Sequence, residues 1–473
     1  MSRPKVVTLV HLGCARNLID SELMLARMAE EGMAVSGVLD DADVAVLNTC
    51  SFIGPARAES EQRIDELLEL KKQGALDAVV VAGCLVQRFQ RELEKRYPDV
   101  DLFAEISDYK GLATAVSGLS RGESVPRYLE AGGLRAPERE GSRLLATPGS
   151  YAYLRISHGC DHTCSFCAIP GIRGPHRSKP LEALVDEGRE LIAAGVKELV
   201  LVAEDSTAWG RDHGKELPEL VEALADLEGD ARIRIMYAYP NRFPWGLAPL
   251  LRDHPKVLPY LDIPVQHAAT SVLRAMRRAG SGDQVRAILT RLKDEVPGIT
   301  LRTTFLVGFP GETEADVDEL CELVRTFDLG RCGVFTYSPE EGTSGYELGP
   351  GCDEATANAR RDRVLAARDE TLATSQGSLI GLEQEVLIDE ADDAGAGYAV
   401  GRAASDAPES DLVTIVPGCE APVGSRIVVR VAELDAEHNA VAAPLRAAAP
   451  PRHFAPKSKS KPKSKSKRRR RAR

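Results

Sequence analysis

The segment HGCDHTCSFC holds three cysteines, Cys160, Cys164 and Cys167, at the spacing C-x-x-x-C-x-x-C. A structural zinc site needs four ligands, which usually come as two C-x-x-C pairs or as a mixture of Cys and His. Thiolates that one short loop gathers together suit a cubane iron–sulfur cluster instead. With three protein ligands, one iron would stay open to a substrate or cofactor. The spacing therefore favours a reactive cluster over a zinc site or a chance cysteine-rich loop.

A second set of three cysteines is spread over the first part of the chain. Cys14, Cys50 and Cys84 each follow an apolar run, in VVTLVHLGC, VAVLNTC and VVVAGC. The carboxyl ends of parallel strands share one edge of a sheet, where ligands bind in open α/β folds. A single cysteine at such a place is more often a small buried side chain. Three at the same topological position favour a shared metal site.

The other four cysteines have no partners at ligand spacing, and we assign them no role. They are Cys321, Cys332, Cys352 and Cys419.

The elements that position the dispersed cysteines are predicted in residues 1–120. Apolar runs at 6–12, 44–47 and 78–82 predict strands, and apolar residues at three- and four-residue spacing between them predict helices. This β-α-β-α-β order indicates a parallel sheet with right-handed crossovers. Residues 121–150 show no sustained period and many helix breakers, so we expect a linker.

The cysteine-rich loop follows the first strand of a longer α/β region, residues 151–375. Six strands alternate mostly with amphipathic helices, which predicts an open, partial (β/α)6 version of the TIM-like barrel. The predicted strands are 153–157, 198–203, 232–237, 258–263, 299–307 and 333–337. Residues 376–446 change to short strands between Gly, Pro and Asp turns, as in a small OB-like β-barrel.

Composition supports metal binding by reduced thiols. The 473 residues should form two to four domains, and no apolar run resembles a signal peptide or a membrane span. We therefore expect a cytoplasmic protein, in which ten cysteines are better explained as ligands or buried side chains than as disulfides. The net charge is −11, but the tail from Arg452 onward carries twelve Lys and Arg without an acid. Residues 447–473 are predicted to be a disordered basic tail.

The cysteine loop, with Phe166 before its last cysteine, resembles that of the radical S-adenosylmethionine superfamily. The resemblance implies that the open iron binds S-adenosylmethionine and that its cleavage yields a 5′-deoxyadenosyl radical for an unactivated C–H bond. The stretch LVGFPGETEAD (306–316) is similar to a glycine motif beside that cofactor. By this resemblance Phe166, Gly308, Gly311 and Glu312 are cofactor-binding residues, although an ordinary β-α turn would also explain the glycines.

Three motifs around the dispersed cysteines, GCARNLIDSE, NTCSFI and GCLVQR, resemble the methylthiotransferases within that superfamily. The resemblance covers about residues 5–445 and implies two 4Fe-4S clusters and a C-terminal TRAM domain. The auxiliary cluster, held by Cys14, Cys50 and Cys84, would serve sulfur donation, and Cys160, Cys164 and Cys167 would hold the radical-generating one. A reductant such as flavodoxin or ferredoxin is implied as a partner.

Four further motifs resemble the branch that modifies an aspartate of the small-subunit ribosomal protein number twelve: YAYPNRF, YLDIPVQHA, YSPEEGTSG and DAPESD. One departure is Glu204, where the branch leads us to expect Gln. The alternative branch acts on tRNA, as an N6-isopentenyladenosine methylthiotransferase. A third possibility, a two-cluster electron carrier, predicts sites of four cysteines rather than three.

Charge in the β-domain favours the protein substrate. Residues 383–439 contain thirteen Asp and Glu against three Arg and no Lys. Such a surface would repel tRNA phosphates and attract a basic ribosomal protein, unless it is merely a solvated face. The basic tail is predicted to contact ribosomal RNA.

Overall fold

The computed structural model describes residues 5–106, 108–131, 141–278, 280–391 and 397–448. The predicted basic tail, apart from its first two residues, and residues 132–140 of the expected linker lie outside the described residues.

The first six strands form one parallel sheet in the order β2-β1-β3-β4-β5-β6. They are β1 (Val6–His11), β2 (Ala34–Ser36), β3 (Val44–Thr49), β4 (Ala78–Gly83), β5 (Leu102–Ala104) and β6 (Tyr128–Leu129). The helices that cover the sheet are α1 (Ala15–Glu30), α2 (Gly54–Lys72), α3 (Cys84–Phe89), α4 (Glu92–Arg96) and α5 (Tyr109–Ser120). Central β3 and β4 are buried along their whole length, in keeping with their largely apolar sequences.

The three strands predicted in this region are present, and three more are too short to give a sequence pattern. β2 and β5 have three residues each, and β6 has two. β6 lies inside the expected linker and pairs with β5 at the edge of the sheet.

The second sheet is also parallel, in the order β14-β13-β12-β11-β10-β7, and confirms the open six-stranded barrel. Its strands are β7 (Tyr151–Arg155), β10 (Glu198–Val202), β11 (Arg232–Ile235), β12 (Val257–Asp262), β13 (Thr300–Val307) and β14 (Arg331–Thr336). A short antiparallel pair, β8 (Ser157–His158) and β9 (Arg177–Ser178), branches off after β7. The helices are α6 (Ile169–Arg173), α7 (Leu181–Ala193), α8 (Leu217–Ala225), α9 (Leu247–Asp253), α10 (Thr270–Ala275), α11 (Gly282–Glu295), α12 (Glu314–Thr326) and α13 (Glu354–Gly377).

The last five strands form a closed barrel in the order β15-β16-β17-β19-β18. They are β15 (Glu383–Ala391), β16 (Tyr398–Ala403), β17 (Thr414–Pro417), β18 (Arg426–Leu434) and β19 (Ala440–Ala447). The first four correspond to the short strands predicted from the stretches QEVLIDE, GYAVGRA, DLVTIVP and RIVVRVAELD. β19 was not predicted because its sequence, AVAAPLRA, is rich in alanine and contains a proline, both poor strand formers.

The loop after β16, which carries the DAPESD motif, closes one end of the open barrel. Glu409 accepts hydrogen bonds from the hydroxyls of Tyr151 and Tyr153 at 2.9 and 3.1 Å. Asp406 accepts one from Arg331 at 2.8 Å. Tyr151 and Arg331 are the first residues of β7 and β14, so the loop covers the amino-terminal end of the sheet. The cysteine loop lies at the opposite, carboxyl-terminal end of the sheet.

No helix in the described part of the chain is both long enough and apolar enough to cross a membrane.

Candidate active site

The structure brings Cys14, Cys50 and Cys84 to the carboxyl edge of the first sheet. Cys14 is the residue before α1, Cys50 follows β3 directly, and Cys84 begins α3 after β4. The neighbouring turns are tight: a Cβ on Gly13, whose φ is +102°, would lie 3.1 Å from the Cys50 Sγ. Glycine is therefore needed beside Cys14, both for its backbone angle and for space.

Burial and nearby arginines set the charge of these thiols. Burial raises the pKa of Cys50, and it raises the pKa of Cys84 to about 11. Burial also acts on Cys14, but the guanidiniums of Arg16 and Arg173 outweigh it, and the pKa of Cys14 lies below its ordinary value. The charge of Cys14 raises the pKa of both Cys50 and Cys84, and the charge of Cys50 also raises the pKa of Cys84.

The second triplet lies in the loop between β8 and β9, at the carboxyl end of β7. Two backbone hydrogen bonds stabilise the loop. The Cys160 N–H donates to the Gly174 carbonyl at 3.0 Å, and the Cys167 N–H donates to the Cys164 carbonyl at 3.2 Å. Burial raises the pKa of Cys160 to about 12 and that of Cys167 to about 11. Mutual repulsion among the three thiols adds to both shifts.

Arg173 connects the barrel to the first triplet. It ends α6, six residues after Cys167, and points back into the N-terminal domain. Its guanidinium donates to Asp20 at 2.7 Å and to the Cys84 Sγ at 3.3 Å. Asp20 also accepts a hydrogen bond from Arg155 of β7 at 2.6 Å, and its side chain is fully buried. This network explains the buried acid in GCARNLIDSE, because two of its partners come from the other domain and a third is the buried hydroxyl of Tyr109 in α5.

Arg16 makes the reverse connection, from the N-terminal domain to the barrel. It follows Cys14 by two residues and donates to the Ala203 carbonyl, just beyond β10, at 2.8 Å. Its charge acts on Cys14 in the first triplet and on Cys167 in the second. Arg16 therefore lies between the first triplet and the carboxyl-terminal mouth of the barrel, and we call the region around it the gap.

The donor atoms fit iron–sulfur clusters. Each triplet offers sulfur donors only, and soft thiolates are the ligands that such clusters use. The described residues include no group of three or more His, Cys, Asp or Glu side chains arranged to hold a single metal ion. The thiols within each triplet nevertheless act on one another electrostatically.

The predicted cofactor residues come from two loops that meet in one apolar cluster. Phe166 packs against a small apolar cluster that includes Phe309. Gly308 and Gly311 both have positive φ, +75° and +89°, in the turn after β13. The buried carboxylate of Glu312 accepts the Gly308 N–H at 3.0 Å and a hydrogen bond from Arg360 at 3.1 Å. The buried Glu312 side chain therefore stabilises the conformation of this turn.

Family models match three consecutive parts of the chain. The Radical SAM superfamily matches residues 154–324, Uncharacterized protein family UPF0004 matches residues 6–105, and the TRAM domain matches residues 380–438.

Curated relatives match nearly the whole chain. A ribosomal protein uS12 methylthiotransferase RimO from Sorangium cellulosum is 39% identical over 90% of this chain and 88% of its own. The protein of the same name from Symbiobacterium thermophilum is 38% identical over 91% of this chain and 89% of its own. This chain belongs to the ribosomal protein uS12 methylthiotransferase family.

Solved structures agree at the level of the fold. The radical S-adenosylmethionine methyltransferase TsrM from Kitasatospora setae, with cobalamin and a 4Fe-4S cluster bound, has a TM-score of 0.53 and 17% identity. It covers 73% of this chain and 78% of its own.

Two motifs of the family resemblance meet at the domain boundary. Arg88 of GCLVQR donates to Glu340 of YSPEEGTSG at 2.9 Å, in an almost fully buried ion pair. Glu340 also accepts the Gly54 N–H at 2.6 Å. The ion pair fixes the loop after Cys50 against the barrel.

Sequence reasoning missed a stack of side chains on the cysteine loop. The rings of His162 and Tyr239 lie parallel with centroids 3.7 Å apart, and Arg278 covers Tyr239 at 4.0 Å. His162 also pairs with Asp205 at 2.8 Å, in a cavity of about 480 Å³ that reaches Cys160. The only signal in the sequence was the position of His162 between two cysteines.

Glu204, the one departure from the expected motif, lies next to Arg16. Its Oε1 is 3.8 Å from the Arg16 Nε, and its side chain is 5% exposed. Its Oε2 has no hydrogen-bond partner among the described residues. The acid at this position therefore faces the gap between the triplets.

Proposed function

We propose that the protein methylthiolates the β-carbon of an aspartate in ribosomal protein uS12. The observation that carries the proposal is that the two cysteine triplets are joined by direct contacts: Arg173, six residues after Cys167, donates to the Cys84 Sγ at 3.3 Å, and Arg16, two residues after Cys14, donates to the Ala203 carbonyl at the barrel mouth. Family membership supports the choice of substrate. The protein is thus an enzyme, a radical S-adenosylmethionine transferase, and we place its action in the cytoplasm, where ribosomal subunits assemble.

The two triplets would hold two 4Fe-4S clusters, an auxiliary one on Cys14, Cys50 and Cys84 and a radical-generating one on the other three. When bound, the clusters and S-adenosylmethionine supply the cleavage of an unactivated C–H bond and the sulfur that replaces the hydrogen. Phe166, Gly308 and Gly311 would contact S-adenosylmethionine. Glu312 would act through the turn that it shapes, since its carboxylate bonds Gly308 and Arg360.

The chain's own part is to hold the gap rigid and dry. Arg173 and Arg155 bind Asp20 from the barrel side, and Arg88 binds Glu340 a short distance away. The DAPESD loop closes the amino-terminal end of the barrel. A closed, low-dielectric site strengthens electrostatic contacts to the substrate and limits side reactions with water.

A single comparison tests the proposed function. Reconstituted protein is given dithionite, S-adenosylmethionine and either purified uS12 or tRNA containing N6-isopentenyladenosine, and the products are analysed by mass spectrometry. We expect a methylthio group on one aspartate of uS12 and unmodified tRNA. Methylthiolated tRNA with unmodified uS12 would overturn the proposal in favour of the other branch.

The acidic β-domain is our candidate for docking basic uS12, but its acids divide into two classes. Asp389 pairs with Arg402, and Asp406 and Asp411 bind residues of the barrel. Asp392 and Asp393 lie outside the described residues. Glu383 and Glu409 are exposed but already bonded, to two arginines and two tyrosines respectively. The exposed acids that bond no other side chain among the described residues are Glu390, Glu420, Glu433 and Glu437.

Changing these four exposed glutamates to Lys should weaken uS12 binding, most strongly at low ionic strength, because charge attraction is screened by salt. The matched control reverses four exposed acids of the N-terminal domain: Glu59, Asp65, Glu92 and Asp99. Binding is measured by titration calorimetry at two salt concentrations. Equal affinity in the two variants would remove the docking surface from the proposal.

Two further partners complete the proposal. A small acidic electron carrier such as flavodoxin or ferredoxin would supply electrons.

The basic tail would hold the enzyme near ribosomal RNA through contacts with phosphate groups. The affinity of such contacts falls steeply as the salt concentration rises. Deleting residues 457–473 should leave the activity on free uS12 unchanged and weaken co-sedimentation with small ribosomal subunits at low salt. Unchanged co-sedimentation would exclude this role of the tail.

A further inference from the structure

The gap between the triplets must receive the target side chain, since both cofactors have to act on the same carbon. This step rests on the proposed function. If the target is an aspartate, its carboxylate enters a largely buried space. A buried carboxylate is costly unless it meets a cation that can hydrogen-bond with it. The site therefore needs a guanidinium or ammonium group that faces the gap.

Among the described residues, three arginines close to the triplets are already bonded to other groups. Arg155 and Arg173 donate to Asp20 at 2.6 and 2.7 Å. Arg278 donates to the Pro264 carbonyl and stacks on Tyr239. These arginines have short, well-formed partners that a substrate would have to displace.

Arg16 is different. Its carboxylate neighbour, Glu204, is 3.8 Å from the Arg16 Nε, which is beyond hydrogen-bond distance. Among the described residues, its side chain donates to the neutral Ala203 carbonyl at 2.8 Å and bonds the Cys14 thiol, and neither partner is a carboxylate. Its side chain is 16% exposed, and its guanidinium lies 4.9 Å from the centre of the Tyr237 ring. Arg16 is thus a partly buried cation at the gap, and the carboxylate of Glu204 beside it lies beyond hydrogen-bond distance.

We infer that Arg16 binds the carboxylate of the target aspartate and so selects an acidic residue. Glu204 balances the charge of Arg16 while the site is empty. When the substrate carboxylate arrives, the two acids share one guanidinium, which can present two N–H groups side by side to a carboxylate. Glu204 therefore limits the affinity for the acidic side chain, and a glutamine at this position would not.

The test compares two forms of uS12, one with the target aspartate and one with asparagine in its place. We measure kcat/KM for both forms, and the binding of both by titration calorimetry, with the wild-type enzyme and with Arg16→Met, Arg16→Lys and Glu204→Gln. Arg63→Met, on the exposed face of α2, is the matched control. Iron content is measured for every variant.

The wild-type enzyme should prefer the aspartate form by about 10- to 100-fold, as expected for a charged hydrogen bond in a buried site. Arg16→Met should reduce the preference to near parity, Arg16→Lys should keep part of it, and Glu204→Gln should increase it. A structural role alone would lower activity on both forms without changing their ratio.

The inference is overturned if Arg16→Met keeps the wild-type preference. If Arg16→Met cannot be loaded with iron, a preference in Glu204→Gln no greater than that of the wild type overturns it instead. These outcomes differ from failure of the proposed function, in which the wild-type enzyme would not modify uS12 at all.

Discussion

The two cysteine triplets reach similar positions by opposite routes. Cys160, Cys164 and Cys167 lie in one loop, fastened by its own backbone hydrogen bonds. Cys14, Cys50 and Cys84 come from three separate strand ends and meet only because the sheet is parallel. The first arrangement depends on local chain geometry, whereas the second depends on the whole N-terminal domain.

They differ as strongly in electrostatics. The charge of Arg173, which belongs to the barrel, acts on all three thiols of the N-terminal triplet. In the barrel triplet, burial raises the pKa of Cys160 and Cys167, and Arg278 of the barrel lies 3.6 Å from the Cys164 Sγ. The charge of Arg16, from the N-terminal domain, acts there on Cys167. The N-terminal triplet is therefore an inter-domain site, although its ligands all come from one domain.

The largest effect on this comparison should come from Asp20→Asn. The substitution leaves Arg155 and Arg173 without their buried carboxylate, and breaking a buried ion pair costs about 3–5 kcal/mol. We expect the free energy of unfolding to fall by that amount in urea denaturation followed by circular dichroism. Asp65→Asn, at an exposed position of α2, should change it by less than about 0.5 kcal/mol. A loss in Asp20→Asn as small as that of the control would show that the network does not join the domains.

Arg173→Met should weaken iron binding at the N-terminal triplet only. Residues just outside the ligand sphere typically contribute about 10- to 100-fold to metal affinity, and Arg173 bonds the Cys84 Sγ directly. Competition with a chelator should remove about half of the iron faster than in the wild type, and Arg173→Lys should be intermediate because the charge remains. Equal loss from both sites would contradict an assignment of Arg173 to the first triplet.

Arg278→Met should have the smallest effect, on the barrel triplet alone. Its contact with Cys164 is long, 3.6 Å, and Arg278 is not fully buried. We expect less than about 10-fold weaker iron binding there, the lower end of the range for such residues. An effect larger than that of Arg173→Met would reverse the proposed difference between the two sites.

Much of this site could be predicted from the sequence because it depends on local rules. A cysteine directly after each of three apolar runs lies at one sheet edge in any parallel α/β fold. All six barrel strands were predicted for the same reason, since each forms a continuous or alternating apolar run.

The features that could not be predicted depend on contacts between residues far apart in the sequence. Arg173 and Asp20 are 153 residues apart in the sequence, and nothing local marks either as part of an ion pair. The acids of DAPESD were counted as surface charge, yet Asp406 and Asp411 are buried against Arg331 and Tyr260. Composition gives the number of charges and cannot tell which of them are neutralised inside the fold.

The most direct test of the central claim is to remove each triplet separately and measure both cofactor content and chemistry. One variant combines Cys14→Ala, Cys50→Ala and Cys84→Ala, and the other combines Cys160→Ala, Cys164→Ala and Cys167→Ala. After reconstitution, each should hold one cluster instead of two. The first variant should still release 5′-deoxyadenosine from S-adenosylmethionine but leave uS12 without a methylthio group, and the second should do neither. Two clusters per chain in the first variant, or release of 5′-deoxyadenosine by the second, would contradict the division of labour between the triplets.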